Sequence, residues 1–214
     1  MRLNSARCLA AGAALLLFVL GRPADAPALA SEAERLFEAL GLKAGLRVAD
    51  VGAGDGEWAE RIARVVGATG HVFATEVDKA EIEKIEKRIK EARLENVTAI
   101  LGTQQDTGLP AACCDAILLR LVYHHFVEPE RMRASLRDAL RPDAVLAVVD
   151  TKPQKGWRQL EGVPDRGGHG IREEDLVREM TGDGFEVVAR HPAWNGEDDR
   201  YCVVFRRARP RDPS

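Results

Sequence analysis

The chain has 214 residues, of which 45% are apolar and 30% are charged, and its formal net charge is −3. This length suits one domain with a full hydrophobic core, and the composition excludes a disordered protein. The mildly acidic charge argues against nonspecific binding to nucleic acid, which relies on basic side chains.

The first 30 residues have the layout of a secretory signal peptide. Two arginines precede an apolar run at 8–20, and Ala28 and Ala30 stand at positions −3 and −1 of a small-x-small cleavage site. The run is too short to be a comfortable membrane span. We therefore expect export, to the periplasm, of a mature chain that begins at Ser31. The alternatives are an uncleaved membrane anchor and a cytoplasmic protein whose start codon is assigned too early.

A helix is predicted directly after this segment, because Ser31 and Glu34 have the pattern of a capping box and Gly41 follows as a stop signal. Beyond it, apolar runs of strand length alternate with charged stretches of helical periodicity. Such nearly continuous apolar strands are typical of a parallel sheet that helices cover on both faces. The predicted strands are 46–51, 71–77, 97–102, 114–122 and 144–150, and the predicted helices are 56–66, 79–94, 128–140 and 172–185.

Two further strands are predicted near the end of the chain, at 185–191 and 201–208. The loop that joins them contains no helix, and a parallel crossover needs a longer connection, so the last strand is expected to run antiparallel. The expected fold is α/β, a Rossmann-like sheet of seven mostly parallel strands in one domain at 31–208. A frayed tail is expected at 209–214.

The three cysteines that follow the export segment are Cys113, Cys114 and Cys202. Adjacent cysteines rarely pair with each other, and no Cys-x-x-Cys motif or Cys/His spacing typical of zinc occurs. We interpret the three as structural thiols, and the sequence predicts no metal site.

A glycine-rich turn, DVGAGDG at 50–56, connects the first strand to the next helix. Open α/β sheets bind ligands outside the carboxyl ends of their strands, and glycine lets the backbone approach a ligand closely. Gly52, Gly54 and Gly56 occupy alternate positions. This spacing does not match the dinucleotide fingerprint G-x-G-x-x-G, and no P-loop motif occurs.

An acid, Asp50, followed by three alternate glycines resembles motif I of the class I S-adenosylmethionine-dependent methyltransferases. The order of elements over 31–208 is similar as well. The resemblance implies the class I methyltransferase fold, S-adenosylmethionine as cofactor, and transfer of its methyl group. It also implies that Asp50 receives the cofactor's amino group, directly or through water, and that Glu76 accepts hydrogen bonds from the ribose hydroxyls. Asp78 is an alternative acid for the ribose.

The adenine of the cofactor is expected near the loop TQQDTGLP at 103–110. Gln104, Gln105 and Asp106 can all form hydrogen bonds with the edge of an adenine, and relatives commonly carry an acid in this segment. Gln105 and Asp106 are the two leading candidates, although loops also carry such residues for solvation alone.

The segment RLVYHHF at 120–126 follows the fourth strand, where the transferred methyl group meets its acceptor in the resembled family. His124 or His125 is predicted to act either as a general base or as a positioning group, because alignment alone supplies much of the acceleration in methyl transfer. Tyr123 and Arg120 are candidate substrate contacts. Arg120 departs from the family pattern, and it either binds an acidic acceptor or pairs with a neighbouring acid.

A long polar loop at 150–171 is expected to cover the acceptor, as in relatives, and Trp157 and His169 are candidate substrate contacts there. Arg158 and Arg166 are also available, and three glycines would permit lid motion. The alternative is a surface loop in which His169 caps the next helix.

The predicted function is methyl transfer to a small-molecule acceptor, with no nucleic-acid partner, since the sequence shows no added domain and no basic face. Two other functions remain open. One is a non-catalytic module that binds S-adenosylmethionine or a nucleoside as a sensor or scaffold. The other is a different transferase, such as an aminopropyl transferase, that uses the same cofactor site.

Overall fold

The computed structural model describes residues 31–156, 161–194, 196 and 198–209. The predicted export segment, Trp157 and nearly all of the predicted tail lie outside these residues. A short 3-10 helix, Tyr123–His125, joins β4 to α4. The helices and strands, in chain order, are α1 Glu32–Ala39, β1 Arg47–Val51, α2 Glu57–Val66, β2 His71–Glu76, α3 Lys79–Ala92, β3 Val97–Leu101, β4 Cys114–Arg120, α4 Pro129–Ala139, β5 Leu140–Thr151, α5 Glu173–Gly182, β6 Phe185–His191 and β7 Arg200–Arg207.

The seven strands form one sheet in the order β3-β2-β1-β4-β5-β7-β6. Strand β7 runs antiparallel to both of its neighbours, and the pairs among β1 to β5 are parallel. The predicted seven-stranded, mostly parallel sheet with an antiparallel last strand is thus confirmed. The strand order reverses between β1 and β4, and ligands bind at such a switch point in open α/β sheets.

Helices pack on both faces of the sheet, as predicted. Side chains alternate along a strand, so Leu118 and Ile117 of β4 enter different hydrophobic clusters. The cluster that contains Leu118 also receives Leu36 of α1 and Ile62 of α2. The opposite cluster receives Leu136 of α4 together with residues of α5.

Helix α1 begins as its sequence indicates. The Ser31 side chain accepts a hydrogen bond from the Glu34 N–H, and the Glu34 carboxylate accepts one from the Ser31 N–H at 2.7 Å, which completes the capping box.

The connection between α4 and β5 differs from the prediction. The helix ends at Ala139, and β5 begins at Leu140, four residues before the predicted start at 144. Leu140 is already extended, with φ −73° and ψ 134°. Pro142 keeps the residue before it out of the helical region, so the chain passes directly from helix to strand.

None of the helices among the described residues has the length and apolar content that a membrane crossing requires.

Cys113, Cys114 and Cys202 are buried, free thiols, with the sulfur atoms of the adjacent pair 3.0 Å apart. Burial raises the pKa of the Cys202 thiol to about 12, which makes it unreactive at neutral pH.

Candidate functional site

A cavity of about 170 Å³ opens at the carboxyl ends of β1, β2, β3 and β4. Residues from four separate segments line it, because the ends of parallel strands meet at one edge of the sheet. The sequence-predicted residues that line it are Gly52, Glu76, Gln104, Asp106 and His125.

The glycine turn has a conformation that other residues rarely adopt. Gly52, Gly54 and Gly56 have φ values of +72°, +55° and +80°. A Cβ on Gly52 would lie 2.4 Å from a methyl group of Val122, whereas one on Gly54 would meet no atom of the described residues within 4 Å. Gly52 therefore allows close packing against the segment after β4, and Gly54 leaves space beside the turn for a ligand.

Glu76 holds this turn in place. One oxygen of its carboxylate accepts a hydrogen bond from the Gly54 N–H at 3.0 Å, and the other accepts one from the Val77 N–H at 2.9 Å. Each carboxylate oxygen can accept a second hydrogen bond, so the group can still receive two hydroxyls. Asp78, the alternative acid, instead caps α3 by accepting from the Ala80 N–H at 2.8 Å. The geometry therefore favours Glu76 for the ribose.

Asp50 is a buried acid with an unused acceptor. It is 2% exposed, and its Oδ2 has no hydrogen-bond partner within the part of the chain that the structure describes. Burial raises the pKa of its carboxyl to about 7, the nearby Glu76 charge adds to this, and a hydrogen bond from the Ala59 N–H opposes it. An unsatisfied buried acceptor suits an ammonium partner. Since Asp50 does not itself line the cavity, the predicted contact through water fits this conformation better than direct contact.

These observations test whether the residues fit S-adenosylmethionine. The ligand carries an ammonium group and two ribose hydroxyls but no pyrophosphate. Asp50 provides an acceptor for the ammonium group, and Glu76 provides acceptors for the ribose hydroxyls. Gly54 leaves room for the ligand beside the turn. The donors and acceptors of the site therefore fit this cofactor.

The predicted adenine contacts separate into two groups. Asp106 and Gln104 line the cavity, and the Asp106 carboxylate accepts a hydrogen bond from the Gly108 N–H at 2.7 Å, which fixes the loop. Gln105 does not line it, because its amide donates to the exposed Glu128. In this conformation Gln104 and not Gln105 faces the cavity, and the adenine contact itself stays a prediction.

Arg120 takes the second of its two predicted roles, pairing with an acid. Its guanidinium forms two hydrogen bonds with the carboxylate of Glu32, at 3.0 and 3.1 Å, and lies 5.0 Å from the centre of the Trp58 ring. Burial alone would raise the pKa of Glu32, but the hydrogen bond and charge of Arg120 lower it below its usual value. Trp58 was not anticipated, since its position on α2 shows only a helical pattern in the sequence.

Tyr123 is not placed to contact a substrate. It is 0% exposed, its hydroxyl donates to Glu179 at 2.8 Å, and it accepts from Arg133 at 2.8 Å. Arg166, another predicted acceptor contact, forms an ion pair with the same Glu179 at 3.0 Å. These residues form a buried network that ties α4, α5 and the loop before α5 together. The substrate role predicted for Tyr123 is therefore corrected to a structural one.

His124 is fixed by Asp150, an acid at the end of β5 that belongs to no recognisable sequence motif. Its Nδ1 lies 2.6 Å from Oδ1 of Asp150, and its backbone N–H donates to Oδ2 at 3.2 Å. Because a carboxylate only accepts, the imidazole proton is assigned to Nδ1, which leaves the Nε2 lone pair free to accept. That Nε2 lies 3.2 Å from Nε2 of His169.

His125 faces the cavity. Burial lowers its pKa to about 4, and the neighbouring histidines act in the same direction, so its ring is neutral at pH 7. His169, from the loop before α5, completes the group, with ring centres 4.6 Å from His124 and 5.2 Å from His125. It contacts the site histidines and does not act as a helix cap, since the N-cap residue of α5 is Arg172.

Comparisons with known proteins point to one kind of domain. The family described as "Methyltransferase domain" matches residues 48–143. A demethylmenaquinone methyltransferase of Listeria welshimeri is 25% identical over 118 residues, which cover 54% of this chain and 50% of that protein. A protein-L-isoaspartate O-methyltransferase of Ignicoccus hospitalis is 32% identical over 125 residues, 58% of this chain and 56% of that protein. The chain thus spans about half the length of the curated relatives it matches.

Solved structures extend the likeness to the whole fold. A SAM-dependent methyltransferase from Aquifex aeolicus superposes with a TM-score of 0.67 at 22% identity, covering 81% of this chain and 88% of that one. The glycopeptide N-methyltransferase MtfA, in complex with S-adenosyl-L-methionine, has a TM-score of 0.64 at 18% identity, covering 83% and 93%. The chain therefore has the Rossmann-like fold of the class I S-adenosylmethionine-dependent methyltransferases, and its residues 48–143 match a methyltransferase domain.

Proposed function

We propose that this protein is an S-adenosylmethionine-dependent methyltransferase that acts on a small-molecule acceptor. The observation that carries the proposal is the site at the end of β1. There, the open side of Gly54, the unpartnered oxygen of Asp50 and the carboxylate of Glu76 lie at one edge of the sheet. The match of residues 48–143 to a methyltransferase domain supports the same conclusion.

A small acceptor is favoured over a macromolecule for two reasons. Several curated relatives, such as the demethylmenaquinone methyltransferase above, are named for methylation of a small molecule, whereas the Ignicoccus hospitalis relative is named for methylation of a protein. The net charge of −3 also opposes attraction to nucleic acid.

Each residue of the site has a distinct role toward the bound cofactor. Bound S-adenosylmethionine supplies a methyl group activated by its sulfonium. The carboxylate of Asp50 balances the positive charge of the ligand's ammonium group, and that of Glu76 accepts hydrogen bonds from the ribose hydroxyls. Asp106 and Gln104 lie where the adenine edge is expected. His125 lines the cavity and would help to position the bound cofactor. Asp150 keeps the His124 ring in one orientation, with its Nε2 directed at His169.

Binding and turnover tests separate this function from its two alternatives. We expect the full chain to bind S-adenosylhomocysteine in the micromolar range, about −8 kcal/mol, by calorimetry. We also expect it to transfer label from methyl-labelled S-adenosylmethionine to a small molecule in cell extract. Binding without transfer would identify a sensor or scaffold. Release of the label in the thioether 5′-methylthioadenosine, which keeps the methyl group on sulfur, would identify an aminopropyl transferase. A folded chain that does not bind would refute the cofactor site.

We also propose that the protein is exported and cleaved after Ala30. The capping box of α1 begins at Ser31, so cleavage at this point leaves the first helix and its cap intact. Expression in a secreting bacterium is expected to yield a periplasmic protein whose intact mass corresponds to residues 31–214. A cytosolic product that retains residues 1–30 would contradict export. A membrane-bound product that retains residues 1–30 would identify an anchor.

A further inference from the structure

Three histidines, His124, His125 and His169, form a compact group that we call the histidine cluster. Each can offer one ring nitrogen, and these three atoms lie within 4.8 Å of one another. Two of the residues follow β4 and the third lies 45 positions later in the chain, so the cluster exists only because the fold brings the segments together.

The spacing of the two facing nitrogens suits a shared metal ion. Nε2 of His124 and Nε2 of His169 are 3.2 Å apart. Two imidazole nitrogens that bind one tetrahedral zinc ion, each at about 2.0–2.1 Å, lie about 3.3–3.4 Å from each other. The nitrogen that His125 offers lies within 4.8 Å of those that the other two rings offer.

Asp150 has the position of a residue that supports a metal ligand. It is fully buried and bonded to Nδ1 of His124 at 2.6 Å, and it also accepts from the backbone N–H of Thr151 at 2.7 Å. Histidine ligands of zinc commonly donate their other N–H to a carboxylate in this way, which fixes the ring and strengthens the ligand. The negative charge of Asp150 would also partly balance that of a divalent cation.

His125 provides an independent indication of a missing ligand. Its Nε2 is buried, and no hydrogen-bond partner for it exists among the residues that the structure describes. Buried ring nitrogens normally have partners. A metal ion within the cluster would satisfy this atom.

The loop that carries His169 is held firmly against the end of β5. The backbone of His169 forms two hydrogen bonds with Gln154, at 2.9 and 3.1 Å. Gly168 and Gly170 flank it, and a Cβ on either would lie 2.7 Å or less from a backbone oxygen of Gln154 or Thr151. This close packing places the imidazole at a defined position.

We propose that the histidine cluster binds a divalent transition-metal ion, with Zn²⁺ the expected occupant, through one nitrogen of each ring. Imidazole ligands favour zinc and its neighbours over magnesium or calcium. Three protein ligands leave at least one coordination position open, the pattern of catalytic zinc sites. Because His125 also lines the cavity proposed for the cofactor, that position lies beside the proposed site of methyl transfer. The sequence showed no zinc spacing because the ligands come from two distant segments.

Cobalt titration of the full chain tests the site without reference to catalysis. The protein is freed of metal with a chelator and carries no affinity tag. We expect one Co²⁺ per chain, with the visible absorption of a four- or five-coordinate ion, and its displacement by Zn²⁺. His169→Ala and His125→Ala are each expected to weaken binding at least tenfold.

The chain offers a matched control, because only two of its five histidines lie outside the cluster. A His71→Ala/His191→Ala double variant is expected to bind Co²⁺ like the parent protein, and circular dichroism would verify that all variants are folded. The proposal is overturned by absent stoichiometric binding, by unchanged binding in both cluster variants, or by thiolate-to-cobalt bands that assign the ion to Cys113 and Cys114. Since S-adenosylhomocysteine binding is measured separately, its absence would refute the proposed function and not the metal site.

Discussion

Replacement of Glu76 by alanine is expected to weaken binding of S-adenosylhomocysteine about 10- to 100-fold. The carboxylate holds the Gly54 and Val77 N–H groups and offers its remaining acceptor sites to the ribose. One hydrogen bond to a charged group contributes about 1.5–3 kcal/mol, so a net loss of about one such bond corresponds to roughly this range. Glu76→Gln keeps one acceptor oxygen and should have an intermediate affinity. Calorimetric titration of the three proteins measures the effect.

The matched control for this prediction is Asp78→Asn. Asp78 is an acid only two residues away, but its side chain caps α3, and asparagine is an equally good N-cap. This variant should bind the ligand with unchanged affinity. If Asp78→Asn reduced affinity and Glu76→Ala did not, the ribose acid would be Asp78.

Replacement of Asp50 by asparagine is expected to stabilise the protein at alkaline pH while weakening ligand binding at least about tenfold, through loss of a charge-assisted bond. The folded state raises the pKa of this buried carboxyl from its ordinary value near 3.8 to about 7. Between these two pH values the folded protein holds a proton that the unfolded chain releases. The contribution of this group to stability is therefore complete below about pH 4 and is lost as the pH rises towards 7.

Asparagine does not ionise, so the melting temperature of Asp50→Asn should rise relative to that of the parent protein as the pH increases from about 4 to about 7. For a chain of this size, each kcal/mol changes the melting temperature by about 2–4 °C. Thermal melts at several pH values would measure the difference, with Asp78→Asn as an exposed-acid control. A difference that does not change with pH would show that the Asp50 carboxyl does not titrate in this range. In the parent protein, affinity for the ligand should increase up to about pH 7, because only the carboxylate attracts the ammonium.

Much of the fold was accessible from the sequence. The strands and helices were predicted within a few residues. The capping box at Ser31 and the glycine spacing at 52–56 were identified directly from the sequence. These features depend on neighbours along the chain: periodicity follows from backbone geometry, and caps and turns involve residues two to four positions apart. The exception, the early start of β5 at Leu140, arose where a helix passes into a strand without a loop.

The roles of the side chains that follow the strand ends were harder to predict from the sequence. Arg120 was recognised as unusual, but its partner Glu32 lies 88 residues away in α1. Tyr123 was expected in the cleft and lies in the core, because Glu179 and Arg133 satisfy its hydroxyl there. Gln104 and Gln105 are adjacent, and only the path of the loop decides which one faces the cavity.

The sequence alone thus determined the order of the elements, the antiparallel last strand and the glycine turn that points to the cofactor, because local backbone preferences and hydrophobic alternation specify them. Only the tertiary structure decided that Asp150 fixes His124, that His125 faces the cavity, and that His169 meets both across 45 residues. The physical reason is that a loop carries no periodicity from which the direction of a side chain can be read. That direction is set by whichever distant segment packs against the loop.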